Sequence, residues 1–437
     1  MLHILFLLYN LFSSVLIIPA APVLLIIILA SDKYQKRIKR RLGWGLHQQL
    51  GTSGDSFGAT IWMHALSVGE TISSLPLVKE LRARHPDVRI VFSVTSASGE
   101  QIAKQTLAPH VDTIIAAPLD APFVINTYIN QIRPDLFLLV ETDFWPNWLI
   151  MLHYRNIPAI LVNGRISQKS YNQYRKLKFL FTPLFSCFTC LCMQTAAEVE
   201  KMRSLGLCHK RVQTLGNLKL DTSLLIRNQN RQPVFTSSSS PFFLQENRLL
   251  WICGSTHPGE EEIIFSTYKS LKARHAPLHL LVAPRDISRS RALVGQAEQY
   301  GLSACIKTAL VDNQVIDVCV LDTIGELAMM YQWAAVAFVG GSLVCKGGHN
   351  PLEAAVWGIP VLFGLHMEDF SEIAAALVAS KGAVQIHDEK TLFQALDALL
   401  RDKKKRNSIG SAAQCWVKKH QGVVNRHMQL IDQLLPS

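Results

Sequence analysis

The run Ala334-Ala335-Val336-Ala337-Phe338-Val339-Gly340-Gly341-Ser342, continued by Gly347-Gly348-His349-Asn350-Pro351-Leu352-Glu353-Ala354-Ala355, decides how this chain is read. Its apolar first half has the length and composition of a buried parallel strand, and it stops at a glycine pair. A second glycine pair leads into Asn350, with Pro351 at the first helical position and Glu353 three residues beyond Asn350. Strand, glycine-rich turn and helix start in that order put free N–H groups and the positive end of a helix at the strand's carboxyl end, where an anion is stabilised. A plain capped connection, with Asn350 as N-cap and Glu353 closing the box, satisfies the same spacing.

The pattern recurs on both sides of this stretch. Residues 249–253, 278–283, 316–321, 334–339 and 361–363 read as buried strands separated by helical patterns. An earlier series lies at 59–64, 88–95, 135–140, 157–162 and 187–193. Between the two, residues 227–245 include four consecutive serines, Ser237 to Ser240, and read as a surface connector. Such alternation predicts parallel sheets covered on both faces, and 437 residues are enough for two domains. The expected architecture is α/β, with two Rossmann-like doubly wound domains facing a cleft. Residues 31–226 form the first and 246–437 the second, with the terminal helices packing back on the first. Ligands belong at the carboxyl ends of the strands.

Hydrophobic residues make up 49% of the chain and its formal net charge is +11. That balance suits nucleic acid, anionic lipid or a phosphorylated small molecule. Nine cysteines, an odd number scattered through apolar segments, with Cys187, Cys190 and Cys192 in one strand-like run, fit a reducing compartment and not a disulfide framework. Residues 1–30 contain no Lys, Arg, Asp or Glu. They are long enough to cross a bilayer, which takes roughly 20 apolar residues, although Pro19 and Pro22 interrupt them. Lys33, Lys36, Arg37, Lys39, Arg40 and Arg41 follow. Charges placed after the apolar segment describe an uncleaved membrane anchor with the rest of the chain in the cytoplasm, not a signal peptide. The basic cluster is placed to meet anionic headgroups.

Unusual residues gather at the strand ends. In the first series, 59–64 runs into Ser67-Val68-Gly69-Glu70, where a carboxylate opening a helix is expected to keep a low pKa and, ionised, to serve as a general base. Residues 135–140 lead to Glu141-Thr142-Asp143-Phe144-Trp145-Pro146-Asn147, with Asp143 a candidate cap for the next helix. Asn163-Gly164-Arg165 repeats the geometry with a cation, or is a surface turn. In the second series the strand ends carry Gly254-Ser255-Thr256-His257, Pro284-Arg285 and Gly325-Glu326-Leu327. With residues 350–353 these make four strand-to-helix turns of the kind that hold a nucleotide. Arg285 is suited to bidentate pairing with a phosphate.

Taken together and in this order, Ser67 to Glu70, Glu141 to Asn147, Gly216-Asn217-Leu218-Lys219-Leu220-Asp221, Pro284-Arg285, Gly325 to Leu327 and Gly348-His349-Asn350-Pro351-Leu352-Glu353 resemble the 3-deoxy-D-manno-octulosonic acid (Kdo) transferases of lipopolysaccharide biosynthesis. The resemblance spans the chain from the N-terminal segment to the last helices. It departs from the family's Glu-Thr-Glu-Leu-Trp-Pro-Asn pattern in having Asp143 and Phe144. It implies a GT-B fold and inverting, metal-independent transfer of Kdo from CMP-Kdo to lipid IVA, once or more than once, at the cytoplasmic face of the bacterial inner membrane. It further implies Glu70 as base, with Glu141 and Lys219 as transition-state stabilisers. CMP is expected on Pro284, Arg285, Gly325, Glu326, Leu327, Asn350, Pro351, Leu352 and Glu353. The expected partners are CMP-Kdo, lipid IVA and an anionic membrane surface, with no metal or other cofactor and no nucleic acid. Two other functions fit parts of the pattern. One is a lipid glycosyltransferase using a UDP-sugar; the other is a membrane-tethered nucleotide-binding protein without catalysis, which would not need Glu70.

Overall fold

In the computed structural model, which describes residues 2–13, 32–51, 58–229, 249–275, 277–311 and 315–435, the chain forms two compact units. Met1–Thr222 and Gly422–Ser437 make the first, and Ser223–Gln421 the second. Most of the expected connector lies outside the described residues, as does the expected anchor from residue 14 to its end.

The first unit is built on seven strands: β1 (Thr60–Ala65), β2 (Arg89–Val94), β3 (Thr113–Ala116), β4 (Leu136–Val140), β5 (Ala159–Gly164), β6 (Cys190–Met193) and β7 (Val212–Thr214). They are hydrogen-bonded in the order β3-β2-β1-β4-β5-β6-β7, every pair parallel. The second unit repeats the plan with β8 (Leu249–Thr256), β9 (Leu278–Pro284), β10 (Ala304–Ile306), β11 (Val318–Val320), β12 (Val336–Val339), β13 (Val361–Phe363) and β14 (Ala383–Gln385). Their order is β10-β11-β9-β8-β12-β13-β14, again all parallel. Strands covered by helices on both faces must be apolar throughout, and β4 (Leu-Phe-Leu-Leu-Val) and β12 (Val-Ala-Phe-Val) are buried at every position. In the first core Trp62 lies 4.6 Å from Trp148 and 5.3 Å from Phe137, ring centre to ring centre. A second core gathers Trp251, Phe265, Tyr268 and Phe338.

In the first sheet the strand order reverses between β1 and β4; in the second the corresponding reversal lies between β8 and β12, with β11 inserted between β10 and β9. At such a switch point the connections leave to opposite faces, and a crevice opens at the carboxyl ends. Glu70 follows β1 and Glu141 follows β4; His257 follows β8 and Gly340 follows β12.

Of the expected anchor only residues 2–13 are described, and they lie against the first unit. Residues 2–13 form a helix whose inward stripe, Leu2, Leu5 and Phe6, packs on the core of the first unit, while Tyr9 and Asn10 bond to Asp120 and Asn147. Among the described residues no helix is long and apolar enough to cross a membrane. The basic cluster is also partly committed to the first unit. Arg40 pairs with Glu100 at 2.8 Å, Arg41 Nε donates to the Ala117 carbonyl, and Arg37 donates to the Thr95 carbonyl.

Candidate functional site

At the first switch point, Ser67 caps the helix Val68–Arg84 and Glu70 stands in that helix's first turn, only 7% exposed. Its carboxylate folds back to accept the Leu66 N–H. The expected low pKa does not hold. Burial first, then the negative charges of Glu141 and Asp143, push it up to about 7, against the lowering effect of the Leu66 and Ser67 amides. A helix start stabilises an anion by about a kcal/mol, too little to offset a dry site shared with two other carboxylates. A carboxyl poised near neutrality suits proton abstraction from a sugar hydroxyl better than a strongly acidic one does.

Glu141 leaves β4 with φ +64°, a left-handed conformation uncommon outside glycine. Its Oε1 accepts from Asn163 Nδ2 at 3.3 Å and lies 4.0 Å from Lys219 Nζ. Lys219 sits in the first turn of the helix Leu218–Gln229, whose start is fixed by Asn217 Oδ1 accepting the Lys219 N–H and by Asn163 Oδ1 accepting the Leu218 N–H. Glu70, Glu141 and Lys219, separated by up to 149 residues in sequence, thus belong to one cluster at one sheet edge. Asp143 does not cap the next helix. Its Oδ2 faces Nε2 of fully buried His64 at 3.0 Å, and Nδ1 of that ring faces Ser93. The helix Pro146–Tyr154 is capped instead from a distant loop, by Asp120 accepting the Asn147 and Trp148 N–H groups at 3.2 and 3.0 Å.

At the second switch point the glycine-rich turn is built otherwise than its spacing predicts. Buried Glu260 accepts from the N–H groups of Gly341, Ser342 and Leu343 at 2.8, 3.0 and 3.0 Å, and from that of His257 at 2.9 Å. The chain supplies its own anion to the turn, so these amides are not free for a phosphate. Gly340 is required there, because a Cβ would meet the Ser255 carbonyl oxygen at 2.3 Å. The helices expected after Asn350 and Gly325 are single turns, Leu352–Ala355 and Leu327–Met330, and a single turn carries little of a helix dipole. The donors left to a nucleotide phosphate are therefore side chains more than helix starts.

Those side chains are present. Arg285, after β9, is exposed, and its charge lowers the pKa values of both His349 and Glu353. His349 and His257 lie with Nε2 atoms 2.9 Å apart and rings nearly parallel. Burial, with Arg285 next, brings His349 down to about 4, so its ring is neutral at physiological pH, and burial lowers His257 as well. Glu353, reached by Asn350 Nδ2 at 3.5 Å, is pushed by burial up to about 7. Glu326 is held by Lys307 at 2.8 Å and by the Thr323 hydroxyl. Among the described residues no three His, Cys, Asp or Glu side chains group as metal ligands.

His64, Asn163, Asp120 and Glu260 were not identified as site residues from sequence. Asn163 carried the one available signal, an Asn directly ahead of a Gly at a strand end, a pair that tolerates the left-handed backbone it adopts (φ +58°).

Two parallel-sheet α/β units of this kind, each with its polar cluster at a switch point, define a GT-B type architecture. Solved structures agree at the level of fold. UDP-GlcNAc 2-epimerase from Neisseria meningitidis superposes with a TM-score of 0.62 at 12% identity, over 86% of this chain and 99% of that one. Anabaena Alr3699/HepE gives 0.55 at 12%, over 86% and 99%. Sequence comparison is more specific. Residues 36–222 match the family described as 3-deoxy-D-manno-octulosonic-acid transferase (kdotransferase). The 3-deoxy-D-manno-octulosonic acid transferase of Haemophilus influenzae is 32% identical over 407 residues, 93% of either chain, and that of Rickettsia bellii is 29% identical over 430 residues, 97% of this chain and 99% of that one. The chain belongs to the 3-deoxy-D-manno-octulosonic acid transferase family.

Proposed function

We propose that this protein transfers Kdo from CMP-Kdo to a hydroxyl group of lipid IVA, with inversion at the sugar carbon, at the cytoplasmic face of a bacterial inner membrane. The observation that carries the reading is Glu70, a buried carboxyl held at about 7 beside Glu141 at the switch point of the first sheet, in a chain of this family. In this reading Glu70 takes the proton of the attacking hydroxyl as the bond to the Kdo carbon forms and the bond to the CMP oxygen breaks. Lys219 offers positive charge to the Kdo carboxylate or to the departing phosphate, and Glu141 opposes the positive charge developing on the sugar. In the second unit Arg285 takes the CMP phosphate and Glu353 the ribose hydroxyls, while Pro284, residues 325–327 and residues 350–352 shape the nucleotide's surroundings. The chemistry assigned to these side chains calls for no metal.

An acceptor with acyl chains stays in its bilayer, and the first unit offers a surface suited to one. The outward side of helix 2–13 exposes Ile4, Leu7, Leu8, Leu11 and Phe12, each more than half accessible. Contact of that face with lipid, aided by the basic residues between 33 and 41, would hold the enzyme at its substrate.

Incubation with lipid IVA and CMP-Kdo, followed by mass spectrometry of the lipid, tests the reading. The expected product carries one or more added Kdo units, and UDP-sugars give none. A lipid left unchanged by CMP-Kdo under conditions where the protein is folded rejects it.

A further inference from the structure

The five residues Glu141-Thr142-Asp143-Phe144-Trp145 connect β4 to the helix Pro146–Tyr154, and the chain pins them at three places. Glu141 is held by Asn163 and Asp143 by His64. The third place is the helix start, and there the partners come from the N-terminus. Asn147, 1% exposed, exchanges two side-chain hydrogen bonds with Asn10: Asn10 Nδ2 donates to Asn147 Oδ1 at 2.7 Å, and Asn147 Nδ2 donates to Asn10 Oδ1 at 3.0 Å. Asp120, which caps this helix through the Asn147 and Trp148 amides, accepts a third bond from the Tyr9 hydroxyl at 3.0 Å.

A tether needs none of this. Residues 2–13 are apolar around nearly the whole helix, and the two polar side chains in its middle, Tyr9 and Asn10, both lie on the inward stripe with Leu2, Leu5 and Phe6. They meet the half-buried carboxylate of Asp120 and the buried amide of Asn147, which set where the next helix begins. Without them, Asp120 and both ends of the Asn147 amide would lose partners in a site that water does not replace at low cost.

We propose that Tyr9 and Asn10 are positioning residues for the transfer reaction: through Asp120 and Asn147 they clasp the start of the helix Pro146–Tyr154 and so hold the loop that carries Glu141 and Asp143 beside Glu70. Helix 2–13 is then part of the scaffold of the first unit as well as its lipid-facing surface. Loosening the clasp lets the loop retreat, which weakens catalysis and removes two negative charges from the neighbourhood of Glu70.

The role assigned to the loop rests on the functional reading above; the clasp itself does not, so the test has arms for each. The full-length chain carries Tyr9→Phe, Asn10→Ala or both, and amide exchange is followed in the peptide spanning residues 141–152. The Asn147 and Trp148 amides are expected to exchange faster in the variants, most in the double one. In detergent-dispersed assays kcat falls roughly tenfold to hundredfold, as small displacements of catalytic groups do, while the affinity for CMP is unchanged. The acid limb of the kcat/KM profile moves to lower pH, because Glu70 loses part of what raises it; a general loss of stability would not move that limb. The single variant Asn10→Ala keeps the Tyr9 bond and serves if the double variant fails to fold. Exchange, kcat and acid limb all equal to wild type overturn the clasp. Wild-type protein that adds no Kdo rejects the functional reading and leaves the exchange result to decide the clasp alone.

Discussion

Asn163 ties Glu141 to the start of the Lys219 helix, giving Nδ2–H to the Glu141 carboxylate at 3.3 Å and taking the Leu218 N–H on Oδ1 at 2.9 Å. One side chain thereby sets the separation of the anion and the cation assigned to the transition state. Asn163→Asp keeps the shape and the Leu218 bond but replaces the donor with a second carboxylate facing Glu141. The expected result is a fall in kcat of roughly a hundredfold, with KM for CMP-Kdo little changed and the melting temperature within a few degrees of wild type. Turnover at the wild-type rate in a folded Asn163→Asp protein would remove Asn163 from the assembly.

Glu70 must be ionised to act as a base, and its folded pKa is about 7. The expected kcat/KM profile therefore rises as pH passes upward through about 7 and falls away below it, well above the range of an ordinary carboxylate. Glu70→Gln should lower transfer by ~10²–10⁴-fold and leave CMP binding near wild type. An acid limb lying near pH 4.5, or substantial turnover by the Gln variant, would mean that another group takes the proton.

Arg285 and Glu353 are expected to recognise different parts of the nucleotide. Arg285→Ala should weaken CMP far more than cytidine, since only CMP has the phosphate; a charge-assisted pair contributes about 1.5–3 kcal/mol. Glu353→Ala should weaken both alike through the ribose hydroxyls. Calorimetric titration of each variant with the two ligands separates the cases. Equal losses for CMP and cytidine in Arg285→Ala would defeat the phosphate assignment.

What the sequence disclosed and what it hid follow from burial. Every strand recognised from its apolar run lies in the interior of a sheet, covered on both faces. The four that went unrecognised, β3, β7, β10 and β14, are the four edges. Edge strands here have three or four residues, Thr-Ile-Ile-Ala, Val-Gln-Thr, Ala-Cys-Ile and Ala-Val-Gln, and an edge exposed on one side sustains no continuous apolar signal. Glu70 and Glu141 drew notice because each stands just beyond a recognisable strand, whereas Lys219 did so only through the family resemblance. The environment of Glu70 was not legible, since its elevated pKa comes first from burial and then from Glu141 and Asp143, more than 70 residues away. Glu260 was hidden for the same reason. Local spacing shows a glycine turn with free amides, and the carboxylate that fills it comes from 81 to 83 residues earlier.

His427 gives the first unit a titration that can be read without any substrate. It lies in the helix Val423–Leu434, is 1% exposed, and gives Nδ1–H to the Val423 carbonyl at 2.8 Å, leaving Nε2 with no hydrogen-bond partner among the described residues. Burial, with the nearby Arg426 charge adding to it, brings its pKa down from 6.5 to about 4. The neutral ring is thus the form that folds. Below pH 6.5 the unfolded chain takes up a proton that the folded chain refuses until about pH 4. The contribution of this group to stability is fully present above pH 6.5 and is lost as pH falls toward 4, up to about 3 kcal/mol at the lower end. Buried carboxyl groups such as Glu70 and Glu353 titrate in part of the same window with the opposite sign, so the quantity to follow is a difference between two proteins. Urea unfolding of wild type and His427→Leu, monitored between pH 7 and 4.5, should show the wild type losing stability relative to the variant as pH falls. Parallel curves across that range would show that His427 takes its proton in the folded state as readily as in the unfolded one.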